Sequence, residues 1–563
     1  MTRKRGKSPS SQSAARTDRP TLSGERAAAL SEVRTLRPLI VGLLAVVTFL
    51  LGCVPIADTD LWWHLKTGEW ILDTGQIPYV DLYTFTHPHQ PWIDLHWGFQ
   101  VVFATVHRLA GVSGLVIVNG LVLTAAALVG WHATRQRLPP WLPGAIWALA
   151  AISLNGRSAR PEIFSLLFLA AWLWLMERLD EHPRWTWWLP ALQVLWINMH
   201  ALFVLGLVVG SCRAVDELVR RWACGRWGLS PANGTLSPVR VGYTGILCTL
   251  AALANPYFEE GALFPLVLYR KFSVEQEFYA QHIGEFQLPY RFFLQHGFQN
   301  LYLNVEITLW LVAAGSFIWL AACCRRWSLY RLLLFAGFSH LAWEASRNAN
   351  LFALVGATVA CGNLNEWWSL RHRANRAGWS PADAVFAGLL GLWILAIPSG
   401  YWHRWAGEEK SFGFGERKAW FPHAAARFAG QPDFPPRAFA AHFGVASVYT
   451  YHNGPERKVF MDGRLEVCSR QTFEAFNAIL RAMALLDRSW EGALRDEQGR
   501  LPVVLLDSRS SRPAINGLLT QPNWRLVFAD PSCAVFLETT EAERLRLPEV
   551  DYSPLLRPPK GGE

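Results

Sequence analysis

The first 400 residues consist of long apolar runs separated by short polar segments. Runs such as 38–55, 114–131, 161–176 and 302–324 reach or approach the length of a membrane-spanning helix. A helix needs about 20 mostly apolar residues to cross a hydrocarbon core roughly 30 Å thick, because each backbone polar group must be paired inside the segment. The pattern therefore predicts a protein that crosses the membrane many times.

The basic residues predict which side of the membrane each loop faces, because cytoplasmic loops collect Lys and Arg near helix ends. Arg34 and Arg37 precede the first span, so we expect the N-terminus inside the cell. Residues 98–109 are short and interrupted by His107 and Arg108, and we expect them to lie in the interface. Eleven crossings then remain, at 38–55, 114–132, 141–155, 161–178, 186–199, 201–217, 240–254, 301–324, 329–344, 347–363 and 382–399. With this order of crossings, four basic clusters lie on the cytoplasmic side: Arg135/Arg137, Arg220/Arg221/Arg226, Arg325/Arg326 and Arg371/Arg373/Arg376.

Composition divides the chain into three parts. Residues 1–37 are polar and basic without apolar periodicity, which is typical of a disordered cytoplasmic tail. Residues 38–400 form the expected multi-span domain, and its first outer loop, residues 56–96, carries six carboxylates against the single Lys66. We call this segment the acidic loop. Residues 401–563 are richer in charge, Pro and Gly, and an odd number of crossings places them outside; we call them the C-terminal domain.

The C-terminal domain has the pattern of a small α/β fold. Short strands are predicted at 458–462, 502–507, 524–529 and 534–538, with a helix at 471–486. Cys468 and Cys533 could form a disulfide there if the domain lies in an oxidising compartment. The expected fold is therefore mainly α: a polytopic membrane bundle of about eleven spans with a small extracytoplasmic α/β domain.

Composition excludes several other classes of protein. The chain is 51% hydrophobic and 17% charged, as in a membrane protein. Its net charge of +9 does not indicate a nucleic-acid partner, because the basic residues are scattered among short loops. The sequence contains no Gly-rich phosphate loop, no Walker motif and no C-x-x-C pair, so it gives no support to cytosolic nucleotide chemistry or to a zinc or redox motif.

Two carboxylates, Asp58 and Asp60, lie at the outer mouth of the first span. Residues 61–72 follow them with the periodicity of an amphipathic helix. Carboxylates at a membrane surface can act as a general base or hold a divalent cation such as Mg²⁺ or Mn²⁺, and both roles stay open. The alternative is that acidic residues simply populate an outside loop, since D-x-D by itself is a weak signal.

Further polar residues interrupt the apolar pattern on the same predicted side. Arginine suits a lipid phosphate because its planar fork matches the phosphate oxygens, although an arginine at a helix end can also reach lipid headgroups. Asn198 and His200 interrupt the apolar run 189–210, and a polar break between two short helices usually marks a site. The acidic-loop histidines could bind a metal, but a structural or interfacial role is the simpler interpretation. The candidate binding residues are His64, Asp94, His96, Arg157, Arg160, Glu162, Asn198, His200, Glu285 and Arg347.

Several motifs together resemble a group of bacterial multi-span proteins classed with GT-C-type glycosyltransferases. They span most of the chain: Asp58-Thr-Asp60-Leu-Trp-Trp-His64, Trp92-Ile-Asp94-Leu-His96-Trp97, Arg160-Pro161-Glu162, Trp196-Ile-Asn198-Met-His200, Asn255-Pro256-Tyr257, Arg347-Asn348 and Val459-Phe-Met-Asp462-Gly463-Arg464. One departure is Val445-Ala446-Ser447-Val448, where the group has a Gly-Gly-Tyr-Leu stretch ahead of its Asp-Gly-Arg motif.

The resemblance implies an inverting transfer of a sugar from a polyprenyl-phosphate donor to a lipid or glycan acceptor outside the cytoplasmic membrane. Asp58 or Asp60 would be the base, and Arg157, Arg160 or Arg347 would meet the donor phosphate. A second hypothesis is a non-enzymatic membrane scaffold whose C-terminal domain binds a glycan or a partner. A transporter is a third, but the polar interruptions fall at one face of the membrane and not at its midplane.

Overall fold

The computed structural model describes residues 36–134, 137–155, 159–223, 229, 238–372 and 380–553. Helices make up most of these residues, and a five-stranded sheet lies in the C-terminal domain. The cytoplasmic tail predicted for residues 1–37 therefore falls almost wholly outside the described residues. The basic residues Arg135, Arg226, Arg373 and Arg376 also fall outside them.

Fifteen helices form the N-terminal bundle in the described part of the chain. They are α1 Arg37–Gly52, α2 Leu61–Thr74, α3 Trp97–Ala133, α4 Trp141–Leu154, α5 Glu162–Arg178, α6 Trp188–Ile197, α7 Val204–Ala223, α8 Pro238–Ala251, α9 Phe258–Val274, α10 Gln276–His282, α11 Pro289–His296, α12 Leu301–Cys324, α13 Leu329–Glu344, α14 Ala349–Arg371 and α15 Pro381–Ala396. Short 3₁₀ turns at Ala201–Phe203, Gly284–Phe286 and Ser346–Asn348 lie between some of them.

The apolar runs predicted the positions of most of these helices, though not of α9, α10 and α11. How many of the helices cross the membrane is a separate question. By length and composition, two helices of the described residues, α3 and α12, are long and apolar enough to cross a bilayer. Four shorter apolar helices accompany them: Arg37–Gly52, Trp141–Leu154, Val239–Ala251 and Pro381–Ala396. The eleven spans therefore stay a prediction.

Helix α3 contains the segment whose path was least certain from the sequence. It has 37 residues, but Gly111 interrupts the helical backbone with φ 61°. Glycine adopts this left-handed conformation without the steric cost that a Cβ would add. The break separates residues 98–109 from the predicted span at 114–132, and the side chain of Leu109 beside it is 82% exposed. Whether residues 98–109 lie in the interface stays a prediction.

The C-terminal domain is a mixed sheet flanked by helices. Its strands are β1 Arg437–Ala440, β2 Lys458–Val459, β3 Val503–Asp507, β4 Trp524–Ala529 and β5 Cys533–Glu538, in the order β2-β1-β3-β5-β4. Strand β1 pairs in parallel with β2 and β3, while β5 is antiparallel to β3 and β4. Its helices are α16 Tyr401–Trp405, α17 His423–Ala429, α18 Phe443–Asn453, α19 Arg470–Ala484, α20 Ser489–Leu494, α21 Arg512–Leu519 and α22 Thr539–Arg544.

Most predicted elements of this domain are present. Strands β3, β4 and β5 and helix α19 match the predicted segments within two residues at each end, whereas the strand predicted at 458–462 is reduced to Lys458–Val459. Strand β1 and the helices α16, α17, α18, α20, α21 and α22 were not predicted. The possible disulfide is not formed, because Cys468 and Cys533 are both free thiols buried in separate hydrophobic clusters.

Backbone hydrogen bonds join the acidic loop to the C-terminal domain. The N–H of Val459 donates to Tyr83 at 2.9 Å, and the N–H of Phe85 donates back to Val459 at 3.0 Å. Nearer to α1, the N–H of Ile56 donates to Gly415 at 2.9 Å. The acidic loop therefore extends the sheet edge of the C-terminal domain.

Candidate active site

Asp58 and Asp60 lie in the short turn between α1 and α2. Helix α1 ends at Gly52, where a Cβ would come within 2.8 Å of the Gly120 Cα, so glycine allows α1 to approach α3 closely at this point. Asp60 immediately precedes α2, and its backbone N–H donates to Asp58 Oδ1 at 2.9 Å. This turn holds the two carboxyl groups side by side at the end of the bundle.

The guanidinium of Arg160 binds three carboxylates. Its Nε donates to Asp58, its Nη2 lies 3.4 Å from Asp60 Oδ2, and its Nη1 donates to Glu285 Oε2 at 2.8 Å. The three acids come from distant parts of the sequence, and Glu285 is supplied by the 3₁₀ turn between α10 and α11. The structure thus brings together four of the sequence-predicted residues, Asp58, Asp60, Arg160 and Glu285.

The enclosure of this group changes its protonation. Burial, opposed in part by Arg160, raises the pKa of Asp58 above its usual value and raises the pKa of Asp60 to about 7. Burial alone lowers the pKa of Arg160, but the surrounding carboxylates raise it well above its usual range. Arg160 therefore stays cationic, while Asp60 can exchange a proton near neutral pH, as suits a general base or acid.

Three of the predicted histidines form a second group beside the first. The ring centroid of His96 lies 5.6 Å from that of His64 and 5.3 Å from that of His200. His96 Nδ1 is 3.4 Å from Asp94 Oδ1, and His200 Nδ1 is 2.8 Å from the hydroxyl of Ser165. These four predicted residues, His64, Asp94, His96 and His200, are therefore close neighbours.

The two loop histidines of this group differ in charge. Burial lowers the pKa of His64 well below its usual value, and the charge of His96 lowers it further. Burial also lowers the pKa of His96, but the hydrogen bond and charge of Asp94 reverse the effect and raise it overall. His96 is therefore the histidine of this pair that carries a positive charge most readily, next to a neutral His64.

Two other predicted residues border these groups. Glu162 opens α5, and its negative charge helps to raise the pKa of both His96 and Arg160. Asn198 ends α6, accepts from Trp97 Nε1 at 2.9 Å and donates to the carbonyl of Ala254 at 2.8 Å. These contacts tie Asn198 to α3 and to the end of α8, so it holds the predicted helix break in place.

The remaining two predicted residues are the other arginines. Arg347 lies in the 3₁₀ turn between α13 and α14, and its guanidinium carbon is 4.3 Å from the centre of the Phe286 ring. Phe286 is the neighbour of Glu285, so Arg347 approaches the same turn that supplies a carboxylate to Arg160. Arg157 lies outside the described residues.

Sequence reasoning missed how the Asp462-Gly463-Arg464 segment contributes to the site. A Cβ at Gly463 would lie 2.3 Å from Asp60 Oδ1, so glycine lets the backbone approach that carboxylate. Arg464 is fully buried and pairs with Asp462 and Asp81, both at 2.7 Å. The segment is one of the motifs that carry the family resemblance, but nothing in the sequence indicated that it would reach Asp60.

The donor set does not fit a divalent cation at the acidic pair. Among the residues that the structure describes, no group of three or more His, Cys, Asp or Glu side chains is arranged to hold a metal ion. The three carboxylates that would form such a group, Asp58, Asp60 and Glu285, each direct an oxygen at Arg160. The guanidinium thus occupies the space where their oxygens converge.

The described residues thus combine a helical bundle, an acidic pair beside its first helix and a C-terminal α/β domain. No family model matches the chain, and no curated protein matches it. Among solved structures, the oligosaccharyltransferase of the archaeon Archaeoglobus fulgidus in its apo form is similar at TM-score 0.53 and 12% identity, over 83% of this chain and 69% of that one.

Two further structures of the archaeal protein give the same result. AglB in complex with an inhibitory peptide and a dolichol-phosphate has a TM-score of 0.51 at 11% identity, over 83% of this chain and 69% of that one. The enzyme tethered to an acceptor peptide with the NVT sequon has a TM-score of 0.50 at 11% identity, over 89% of this chain and 74% of that one. At this identity the likeness shows the fold alone, and it confirms the expected GT-C-like architecture.

Proposed function

We propose that the protein is a membrane glycosyltransferase that moves a sugar from a polyprenyl-phosphate donor to a lipid or glycan acceptor outside the cytoplasmic membrane. The observation that carries the proposal is the placement of Asp58 and Asp60 around Arg160, at the mouth of a bundle with the oligosaccharyltransferase fold. The dolichol-phosphate and the acceptor peptide bound by the archaeal enzyme support a lipid-linked donor and a separate acceptor.

The two acids have different proposed roles: Asp60 is the base, and Asp58 positions it. Asp60 is the more accessible, with its side chain 23% exposed against 9% for Asp58. Its pKa of about 7 allows it to be ionised in the resting enzyme and protonated after taking the proton of an acceptor hydroxyl. Asp58 accepts from the Asp60 backbone and from Arg160, so it fixes the turn that holds the base.

The positively charged side chains around the pair suit the donor phosphate. Arg160, just before α5, and Arg347, in the turn between α13 and α14, both approach the turn that contains Glu285. His96 adds a third charge when it is protonated. Planar guanidinium groups match phosphate oxygens, so these side chains would bind the phosphate that leaves when the sugar is transferred.

The proposed topology has eleven spans, with the N-terminus inside and the C-terminal domain outside. It is supported by the hydrogen bonds that join the acidic loop to the C-terminal domain, because segments bonded to one another must lie on the same side of the membrane. It is tested by labelling engineered cysteines at positions 79 and 485, both exposed, in intact cells. Labelling of the two positions from opposite sides would contradict the shared compartment.

The catalytic proposal is tested by incubating the purified protein with a panel of radiolabelled polyprenyl-phosphate sugars. The expected result is donor consumption by the wild type and a loss of about 10²–10⁴-fold in Asp60→Asn, since that is the usual contribution of a general base. Asp58→Asn should lose activity as well, because the carboxylate that anchors Arg160 and the turn is gone.

Asp73→Asn is the matched control. Asp73 lies in the same acidic loop, is 64% exposed and pairs only with the exposed Arg108 among its described contacts. This variant should keep full activity. Full activity in both Asp58→Asn and Asp60→Asn would contradict the mechanism, and no consumption of any donor by the wild type would favour the scaffold hypothesis.

A further inference from the structure

We infer that the guanidinium of Arg160 takes the place of a divalent cation among the carboxylates of the site, so that transfer proceeds without a metal. This inference rests on the proposed function, and it adds which group supplies the positive charge that the transfer reaction needs. Carboxylate pairs near a phosphate often bind Mg²⁺ or a similar ion. In this protein the corresponding position is filled by a side chain of the chain itself.

The geometry assigns every nitrogen of the guanidinium to a different acid. Nε donates to Asp58 Oδ2, Nη2 faces Asp60 Oδ2 at 3.4 Å, and Nη1 donates to Glu285 Oε2 at 2.8 Å. The other Asp58 oxygen accepts from the Asp60 N–H at 2.9 Å. A cation that bound these carboxylates at the 2.0–2.6 Å typical of Mg²⁺ and Ca²⁺ would have to displace the guanidinium.

The burial of Arg160 supports a permanent role for its charge. Its side chain is 17% exposed, and three acids around it compensate the cost of removing the charge from water. A guanidinium also keeps its proton at any physiological pH, unlike a metal-bound water. The guanidinium of Arg160 is therefore a fixed positive charge within the site, and it does not depend on the metal content of the medium.

This charge would act on the group that leaves. The acceptor oxygen forms a bond to the anomeric carbon while its proton passes to Asp60, and the bond between that carbon and the phosphate oxygen breaks. The electron pair of the broken bond stays on the phosphate oxygen. Arg160 is placed to stabilise the charge gained there, and removing a donor of this kind typically costs about 10²–10³-fold in rate.

The experiment compares wild type with Arg160→Ser by two readouts, Mn²⁺ binding by electron paramagnetic resonance and donor consumption with and without EDTA. Wild type should bind no Mn²⁺ at the site and should be unaffected by EDTA. Arg160→Ser removes the guanidinium from the space between the three carboxylates, so it should bind one Mn²⁺. Its activity should fall about 10²–10³-fold in EDTA and recover at least about tenfold when Mn²⁺ is added.

Two variants control the interpretation. Arg160→Ser combined with Asp60→Asn should lose the Mn²⁺ signal, which shows that the ion sits among these carboxylates. Arg108→Ser removes an exposed arginine that also pairs with an acid, Asp73, and it should bind no Mn²⁺ and stay active in EDTA. Arg160→Lys serves if the Ser variant does not fold: it keeps one charge, so it should bind no Mn²⁺ and should work without metal.

The inference is overturned if EDTA stops the wild type and Mn²⁺ restores it, or if Arg160→Ser binds no more Mn²⁺ than the wild type. Mn²⁺ binding or metal dependence in Arg160→Lys overturns it as well. The binding readout does not depend on turnover. If no donor is consumed, the proposed function fails, while the Mn²⁺ signal still decides whether Arg160 stands in for the ion.

Discussion

Arg160 and Arg464 are both surrounded by carboxylates, yet their surroundings differ in exposure and in charge balance. Arg464 is fully buried, pairs with two acids and lies against aromatic rings, with the centres of Trp92 and Tyr83 at 4.6 and 4.9 Å from its guanidinium carbon. Arg160 faces three acids and keeps 17% of its side chain exposed. One pairing is closed to solvent, and the other is open to it.

The pKa values of the acids follow this difference. Burial opposes ionisation of Asp81, but Arg464 and the hydrogen bonds of Thr84 and Tyr83 lower its pKa overall. Beside Arg160, the pKa values of Asp58 and Asp60 are raised. One arginine serves two acids at the first place and three at the second. Buried acids with raised pKa values are typical of a functional site, whereas an ion pair that is sealed from solvent and lowers the pKa of its acid is typical of a structural contact. We call the group of Arg464, Asp81 and Asp462 the joint.

The largest expected effect comes from breaking the joint. Arg464→Met leaves Asp81 and Asp462 buried without their cation, and loss of one partner of a buried pair costs about 3–5 kcal/mol. Because these acids join the acidic loop to the C-terminal domain, we expect the free energy of unfolding to fall by that amount. Chemical denaturation of the purified protein in detergent, followed by tryptophan fluorescence, measures the change.

A matched arginine in the same domain controls for loss of charge alone. Arg500 pairs with Asp496 at 3.2 Å, but its side chain is 47% exposed. Exposed ion pairs contribute about 0–1 kcal/mol, so Arg500→Met should change stability by no more than that. Equal destabilisation by the two substitutions would contradict the assignment of Arg464 as a joint.

Gly463→Ala tests whether the joint positions the site. The new Cβ would lie 2.3 Å from Asp60 Oδ1, so the carboxylate must move away from its present contacts with Arg160 and Trp63. A displacement of about 1 Å at a reacting group can cost about 10²-fold in rate. We expect kcat to fall by that factor, with little change in KM.

Gly492→Ala is the control for this substitution. Gly492 lies in α20 of the same domain, and a Cβ there would meet no atom within 4 Å. Its kcat should equal that of the wild type. A wild-type kcat in Gly463→Ala would show that Asp60 does not depend on the backbone of the C-terminal domain.

The open site should also show a pH dependence that the joint lacks. Asp60 has a pKa raised to about 7 by burial, and a general base works only when it has lost its proton. Below that pH its ionised fraction falls, so kcat/KM should drop about tenfold per pH unit between pH 7 and 5 and level off above 8. A profile that is flat between pH 5 and 8 would exclude Asp60 as the base.

Helix positions could be predicted from the sequence because burial in a bilayer or a bundle imposes apolar runs that need no knowledge of the partner. The polar break at Asn198 and His200 was visible for the same reason, since it interrupts such a run. Residues 257–300 lie between the predicted spans at 240–254 and 301–324, where no element was predicted, but they contain α9, α10 and α11. Charged residues and Pro265 obscure the apolar periodicity of α9.

The partners of the site residues could not be predicted, because they are set by contacts between distant segments. Arg160 was expected to meet a phosphate, but its partners include Glu285, which lies 125 positions further along the chain. Strand β1 has only four residues, and its pattern is too short to distinguish from a loop. In both cases the tertiary fold supplies information that local periodicity does not contain.

The smallest expected effect is at Ser447, where the chain departs from the Gly-Gly-Tyr-Leu stretch of the group it resembles. The hydroxyl of Ser447 on α18 accepts from the N–H of Trp63 at 2.9 Å, in the first turn of α2, where backbone N–H groups lack partners within the helix. Both residues are buried, so Ser447→Ala leaves that N–H unpaired and should lower the free energy of unfolding by about 1–3 kcal/mol. Ser489→Ala, which removes an exposed hydroxyl that donates to Asp487, should leave it within about 0.5 kcal/mol of wild type. Trp63 also donates to Asp60, at 3.5 Å. A Ser447→Ala variant that loses stability but keeps the wild-type pH profile would therefore show that Ser447 stabilises the contact between α18 and α2 and does not influence the base.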